Sequence, residues 1–207
     1  MNNMAEHTTY PIMEVFPTLQ GEGRYTGSPA YFIRLAGCDV GCSWCDVKES
    51  WPVENHPHLK VAELVLGAKK SGLPMVVVTG GEPCMYNLEA LTTALRKEGL
   101  KIHLETSGAH PISGEFDWIT LSPKKFKLCL PENYSRAHEL KIVVVNKHDL
   151  KWAIEQARNV TDETLLYLQP EWDKKDKVHD FIMEFLGSGE GVVWSLSTQT
   201  QKYLGIP

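Results

Sequence analysis

Three cysteines lie close together in the chain, at Cys38, Cys42 and Cys45, with the spacing C-x3-C-x2-C. No fourth residue of a ligand type follows at a matching interval. A structural zinc site normally has four protein ligands, and a [4Fe–4S] cluster is normally held by four thiolates. Three thiolates would therefore leave one iron of a cluster open to a ligand that is not protein. A zinc site completed by a distant His or Cys is the alternative that this spacing leaves open.

The composition excludes several classes of protein. The 207 residues fit one domain, expected to span residues 1–207, and the net charge of -5 argues against a nucleic-acid partner. The first seven residues lack the basic and apolar regions of a secretory signal, and no apolar run approaches the ~20 residues of a membrane helix. Five cysteines, three of them clustered, do not suggest disulfides, so we expect a reducing, cytoplasmic setting and no membrane partner.

Short apolar runs alternate with amphipathic stretches, which implies parallel βαβ units. No helix is expected in two connections, 107–117 and 123–139, because they are short and rich in Gly, Pro or charge. A complete (β/α)8 barrel needs ~250 residues, so the predicted fold is an α/β partial, open barrel with shortened or missing helices between some strands. The predicted strands are Ala30–Leu35, Met75–Thr79, Lys101–Thr106, Trp118–Ser122, Leu140–Val145, Leu165–Gln169 and Val192–Ser197, and the predicted helices are Val61–Lys70, Leu88–Lys97, Lys147–Arg158 and Val178–Leu186.

Polar and small residues follow several of these strands, where ligands sit in open α/β sheets. After Met75–Thr79 comes Gly80-Gly81-Glu82-Pro83, whose glycines allow close backbone approach and whose carboxylate can pair with an ammonium group. Taken alone, this stretch is only a turn. The other strand ends carry hydroxyls, an amide and one cation, which suits a polar nucleoside beside a second polar substrate: Thr106, Ser107, Gly108, Ser122, Lys124 and Gln169.

The cysteine spacing resembles that of the radical S-adenosylmethionine (SAM) superfamily, and Gly80-Gly81-Glu82-Pro83 resembles its GGEP motif. Three segments closely resemble the 7-carboxy-7-deazaguanine synthase family. They are residues 14–23 (Glu-Val-Phe-Pro-Thr-Leu-Gln-Gly-Glu-Gly), 27–35 and 199–207. The similar segments extend over essentially the whole chain. The resemblance implies that Cys38, Cys42 and Cys45 hold a [4Fe–4S] cluster whose open iron is chelated by SAM.

The resemblance also implies the reaction. The family converts 6-carboxy-5,6,7,8-tetrahydropterin to 7-carboxy-7-deazaguanine with loss of ammonia, in queuosine and other deazapurine biosynthesis, and uses SAM as a reusable cofactor. An electron donor such as flavodoxin or ferredoxin and a homodimer are expected on the same ground. The implied substrate-binding residues are Leu19, Gln20, Gly21, Arg34, Thr106 and Pro207, and the implied SAM-binding residues are Glu82, Gly108, Ser122, Lys124 and Gln169.

One position departs from the family pattern. The family usually carries Thr two residues after the third cluster cysteine, with its hydroxyl associated with Mg2+, and this chain has Val47 there. Valine has no side-chain oxygen and cannot ligate a hard cation. Mg2+ is thus expected only if Asp46, a backbone carbonyl, or substrate and water can hold it; it could equally be dispensable or replaced by another cation.

Two further expectations concern the cluster region. Cys84 follows the Gly-Gly-Glu-Pro stretch, but a fourth thiolate would block the iron that SAM needs, so Cys84 is predicted to be a buried core residue. Trp44, between two cluster cysteines, is predicted to shield the cluster from water. A glycyl-radical-enzyme activase, which shares the cysteine spacing but acts on a protein, is the rival enzyme class; Leu19–Gly23 and Arg34 favour a small carboxylated substrate instead.

Overall fold

A computed structural model describes residues 7–188 and 193–207 of the chain. The strands within these residues form one sheet, in the order β3-β1-β2-β4-β5-β6-β7-β8-β9. β1 is antiparallel to β2 and β3, and all neighbours from β2 to β9 are parallel. The strands are β1 Thr9–Leu19, β2 Pro29–Leu35, β3 His58–Lys60, β4 Met75–Gly80, β5 Lys101–Thr106, β6 Trp118–Leu121, β7 Glu139–Val144, β8 Leu165–Pro170 and β9 Trp194–Leu196.

Helices connect most of the parallel strands, and a last short helix follows β9. They are α1 Val61–Ser71, α2 Glu89–Lys97, α3 Pro131–Tyr134, α4 His148–Ala157, α5 Lys175–Gly187 and α6 Thr200–Leu204. Successive side chains of a strand point to opposite faces. Alternate strand residues such as Ile33, Val78 and Leu104 therefore join α1 and α2 in one apolar core, and Leu140, Ile142 and Leu168 join α4 and α5 in a second.

The predicted alternation of strands and helices is confirmed, with small shifts of the boundaries. The start of the predicted strand Val192–Ser197 lies outside the described residues, and β9 occupies Trp194–Leu196. In the connection 107–117 there is no helix, as expected, whereas 123–139 contains the one-turn helix α3, which the sequence analysis did not expect. The sheet has open edges at β3 and β9 in the described part of the chain, so the predicted partial barrel is correct.

Besides α3, three elements were not predicted: β1, β3 and α6. β1 contains Pro11 and Pro17, which are unusual inside a strand. Pro17 is tolerated because β3 pairs only with Thr9, Tyr10 and Pro11, which leaves the rest of β1 at the edge of the sheet. Among the described residues, none of the helices combines the length and the apolar character that a membrane crossing requires.

Near the carboxyl ends of the strands, residues that alternate with the core residues face away from the helices, and several of them carry polar groups. Arg34 of β2 is paired in register with Thr79 of β4, and Val143 of β7 is paired with Gln169 of β8. Glu105 is the last residue but one of β5, as Arg34 is of β2. The parallel register therefore brings polar side chains from distant parts of the sequence to one end of the sheet.

Candidate active site

A cleft at the carboxyl ends of the parallel strands consists of two adjoining cavities. The larger has about 1040 Å3 of empty space, including its open mouth, and is lined by the cysteine loop and the ends of β4 to β8. The smaller has about 570 Å3 and is lined by β1, β2 and the C-terminal segment. Residues at the junction line both cavities: Glu22, Arg34, Asp46, Val47, Thr79, Glu105 and Gln199. This arrangement can hold two ligands side by side.

The three clustered cysteines all line the larger cavity, in the loop that follows β2. Their side chains pack in one group with Val40 and Trp44. The backbone amide of Val47 donates to Sγ of Cys45 at 3.5 Å. Burial raises the pKa of the Cys42 thiol to about 11, so a bound metal is needed to make it a thiolate at neutral pH.

The described residues contain no preformed site for a single metal ion. In the part of the chain that is described, no three His, Cys, Asp or Glu side chains lie close enough to hold one metal ion. Thiolates that each bind a different iron of a cluster are spaced more widely than ligands of one ion. This arrangement is compatible with one thiolate per iron of a cluster. Cys84 is buried in the first apolar core, as predicted, and lines neither cavity.

Glu82 follows β4 and is almost fully buried, with four hydrogen-bond donors around its carboxylate. Its Oε1 accepts from the Cys84 amide at 3.0 Å and from Oγ1 of Thr106 at 2.6 Å. Its Oε2 accepts from the amide and the hydroxyl of Ser107. Through these hydrogen bonds, Glu82 connects the end of β4 to the end of β5. Thr106 was predicted to contact the substrate, but its hydroxyl proton is already donated to Glu82.

Of the other predicted SAM-binding residues, Ser122, Lys124 and Gln169 line the larger cavity. Nζ of Lys124 donates to the carbonyl of Ser122 at 2.5 Å and to its Oγ at 2.7 Å. Burial lowers the pKa of Lys124. Oε1 of Gln169 accepts from Oγ of Ser197 at 2.8 Å. Gly108 lines neither cavity; its φ of 74° and the closeness of Leu121 and Cys129 exclude a side chain there.

The predicted substrate-binding residues, except Thr106, line the smaller cavity: Leu19, Gln20, Gly21, Arg34 and Pro207. Nε of Arg34 donates to Oε1 of Glu14 at 2.7 Å, across the β1–β2 pair. The Pro207 carbonyl oxygen accepts from Oγ1 of Thr18 at 2.9 Å, which fixes the end of the described chain beside this cavity. A Cβ at Gly21 would lie 1.7 Å from Oε1 of Gln201, so a side chain there would displace the Gln201 side chain.

A buried charged network that was not predicted from the sequence lies at the junction of the cavities. Nζ of Lys141 donates to Oε2 of Glu22 at 2.5 Å and to Oε2 of Glu105 at 2.9 Å. Burial opposes the charge on Lys141, but the two carboxylates outweigh burial and raise its pKa. Burial would raise the pKa of Glu22, yet Lys141 and the amides of Gln199 and Gln201 lower it to about 2.

One feature of the sequence could have revealed this network. Lys141 is the single charged residue in the run Leu140–Val145, which otherwise forms a buried parallel strand. An isolated lysine is almost never fully buried without a partner, so its position implied nearby carboxylates. Which carboxylates they are depends on the tertiary structure, because Glu22 and Glu105 are distant in sequence.

Asp46 and Val47 lie at the junction as well. Oδ2 of Asp46 forms an ion pair with Nζ of Lys202 on α6 and accepts from Nε2 of Gln199 at 3.4 Å. The short helix α6 also contacts Trp172 through Lys202 and Tyr203. The carboxylate that could have replaced the missing threonine is therefore already paired with a cation of the protein.

These features match known proteins. Residues 32–125 match the model of the Radical SAM superfamily. The chain is 50% identical to a 7-carboxy-7-deazaguanine synthase of Flavobacterium psychrophilum over 95% of this chain and 92% of that protein. It is 48% identical to a 7-carboxy-7-deazaguanine synthase of Synechocystis over 96% of this chain and 94% of that protein. A crystal structure of QueE from Escherichia coli superposes with a TM-score of 0.82 at 34% identity and covers 95% of this chain and 96% of that one.

The open α/β barrel, the three-cysteine loop and the family match define a radical SAM enzyme, a class that uses a [4Fe–4S] cluster, SAM and a source of electrons. Relatives that are 50% and 48% identical over nearly the full length identify its family within this class. The chain belongs to the 7-carboxy-7-deazaguanine synthase family, as its sequence motifs predicted.

Proposed function

We propose that this chain, acting as one domain over residues 1–207, converts 6-carboxy-5,6,7,8-tetrahydropterin to 7-carboxy-7-deazaguanine with loss of ammonia, with SAM as a reusable cofactor. The observation that carries the proposal is the pair of joined cavities, one lined by the three cysteines and the other by Arg34 and Pro207. A nucleoside-sized cofactor and a carboxylated substrate can thus lie in direct contact. Family membership supports the same reaction.

In the larger cavity, Cys38, Cys42 and Cys45 would hold the cluster. When bound, the cluster and SAM supply the radical that removes a hydrogen from the substrate. Gly80 and Gly81 bring bare backbone to the cavity wall, and an added Cβ on either would meet the backbone of Leu35 or Gly37. Ser122, Lys124 and Gln169 line the opposite wall and offer hydroxyl, ammonium and amide groups to the polar parts of SAM.

In the smaller cavity, Arg34 would bind the substrate carboxylate. Its Nε is bonded to Glu14, which leaves the two terminal nitrogens of the guanidinium free to bind in parallel to two oxygens. Leu19, Gln20 and Gly21 form the wall beside it, and Pro207 closes the cavity from the C-terminal side. Thr106 would act through Glu82 and the β4–β5 connection, since its hydroxyl donates to that carboxylate.

The test is an anaerobic assay of the cluster-loaded protein with SAM, dithionite and 6-carboxy-5,6,7,8-tetrahydropterin. The expected result is a deazaguanine product, detected by absorbance and mass, with SAM not consumed in proportion to product. Reductive cleavage of SAM without any deazaguanine would contradict this function and leave only the radical SAM class.

The remaining partners are proposed on the family resemblance. A flavodoxin or ferredoxin would supply the electron, and the protein would form a homodimer. We also propose a cytoplasmic location, because free thiols and an oxygen-sensitive cluster need reducing surroundings.

Arg34→Lys is expected to weaken substrate binding by about 1.5–3 kcal/mol, the range for a hydrogen bond to a charged group. Lysine keeps the positive charge but loses the planar fork and the bond to Glu14. Substrate affinity and SAM affinity are to be measured separately on the cluster-loaded protein. Arg96→Lys, at an ion pair with Asp117 outside the cleft, is the matched control. An equal loss of both affinities would assign Arg34 to the SAM site or to the fold.

Val47→Thr is expected to introduce or strengthen a dependence of turnover on Mg2+. The unaltered protein should depend on Mg2+ only weakly, because Val47 provides no oxygen and Asp46 is paired with Lys202. A cation held only by substrate and water would bind loosely. The measurement is the rate against Mg2+ concentration for both proteins after treatment with a chelator. Tight, saturating activation of the unaltered protein would show that Asp46 or a backbone carbonyl is a sufficient ligand.

A further inference from the structure

Glu105 occupies a distinctive place in the cleft. It is the last residue of β5 on the face that points away from the helices. Because it lines both cavities, it lies where the two proposed ligands meet. Its side chain is 19% exposed, whereas that of its partner Lys141 is 5% exposed. Glu105 is thus the member of the buried network, together with the similarly exposed Glu22, that a ligand can reach.

The hydrogen bonds of Glu105 leave part of its carboxylate available. Oε1 accepts from Nε2 of Gln20 at 3.0 Å, and Oε2 accepts from Nζ of Lys141 at 2.9 Å. Each carboxylate oxygen has two lone pairs. One lone pair on each oxygen therefore remains for a ligand. Glu22 has fewer unused lone pairs than Glu105. Its Oε1 already accepts hydrogen bonds from both Gln199 and Gln201, and its Oε2 accepts one from Lys141.

The two donors also fix the orientation of Glu105. Gln20 is 6% exposed and Lys141 is 4% exposed, so neither can easily move to another partner. Gln20 is held in turn, since its Oε1 accepts from the Glu22 amide at 3.2 Å. The result is a carboxylate held in one orientation at the wall of both cavities, with an acceptor position left on each oxygen. Such a group selects a ligand with two adjacent N–H donors.

We propose that Glu105 recognises the 2-amino-4-oxopyrimidine ring of the pterin by accepting N–H bonds from the 2-amino group and from N3. This inference rests on the proposed function and names a residue that decides which heterocycle is accepted. Gln20 and Lys141 are then positioning residues that hold the carboxylate. Lys141 uses two of its three donors on carboxylates, which leaves one N–H for an acceptor such as the 4-oxo group.

The proposal predicts selection against a specific analogue. In 6-carboxy-5,6,7,8-tetrahydrolumazine a carbonyl replaces the 2-amino group, so an oxygen would face the Glu105 carboxylate. Sites built to bond a substrate N–H reject analogues that lack it by factors of about 10⁴ or more. We expect the unaltered protein to prefer the pterin over the lumazine by at least about 1,000-fold in kcat/KM.

The test compares both substrates in the cluster-loaded protein and in Glu105→Gln. The glutamine keeps the shape but presents one acceptor and one donor, so the preference should fall by at least about 30-fold, the fold-change of roughly one charged hydrogen bond. SAM affinity should change less than about two-fold, since that ligand does not use Glu105. Glu115→Gln, at an exposed glutamate outside the cleft, is the control and should retain the full preference.

The outcomes separate this inference from the proposed function. If the unaltered protein makes no deazaguanine from the pterin, the proposed function fails and the assignment of Glu105 falls with it. If it makes the product but accepts the lumazine equally well, the assignment alone is wrong, and no variant is needed to show it. An unchanged preference in Glu105→Gln, or a loss confined to SAM affinity, would also overturn the role of Glu105.

Discussion

Replacing Cys38, Cys42 or Cys45 by alanine is expected to remove most of the bound iron and all reductive cleavage of SAM. The three thiols share one wall of the larger cavity, and each would hold a different iron. No other cysteine lines the cavity in the described residues, so no thiol is positioned to replace a missing one. The measurements are the iron content after anaerobic reconstitution and the yield of 5′-deoxyadenosine with dithionite.

Cys84→Ala is the matched control for this prediction. Cys84 is 4% exposed and packs in the apolar core, and burial raises the pKa of its thiol. The variant should keep both the iron and the cleavage of SAM, with a loss of stability of about 1 kcal/mol from the smaller side chain. Loss of the cluster in Cys84→Ala would mean that the three-cysteine site is incomplete.

The second large effect is expected from Lys141→Met. Methionine has a similar length but leaves Glu22 and Glu105 without their shared cation, and breaking a buried ion pair costs about 3–5 kcal/mol. The measurement is urea unfolding of the cluster-loaded protein under anaerobic conditions. Lys69→Met is the control: its pair with Glu98 is exposed, and such pairs contribute about 0–1 kcal/mol.

The pH dependence distinguishes a charge effect from a packing effect. In the unaltered protein the pKa of Glu22 is lowered from its ordinary value of 4.5 to about 2. Its contribution to stability is therefore present above pH 4.5 and is lost as the pH falls toward 2. Without Lys141, burial should raise the pKa of Glu22, so the variant should lose stability as the pH rises above 4.5. The difference between the two proteins should then shrink on acidification; a constant difference would indicate lost packing instead.

The class and family of this protein could be predicted from the sequence because their evidence is local. The C-x3-C-x2-C spacing, the Gly-Gly-Glu-Pro stretch and the segment Leu19–Gly23 each lie within a few consecutive residues. The strands of the parallel sheet could be predicted for a similar reason, since a strand buried on both faces is a continuous apolar run. β1 and α6 were missed because neither has such a run: β1 contains two prolines, and α6 has no buried residue.

The sequence by itself determined which residues surround the chemistry, and the tertiary structure decided what each of them contacts. Arg34, Gln20 and Glu82 were identified from their motifs, but their partners Glu14, Glu105 and Ser107 follow only from strand pairing and loop packing. Lys141 is the clearest case. Its two carboxylates come from the turn after β1 and from the end of β5, 119 and 36 residues away. Such contacts are fixed by the order of strands in the sheet, and a buried charge is stable only where that order supplies its counterions.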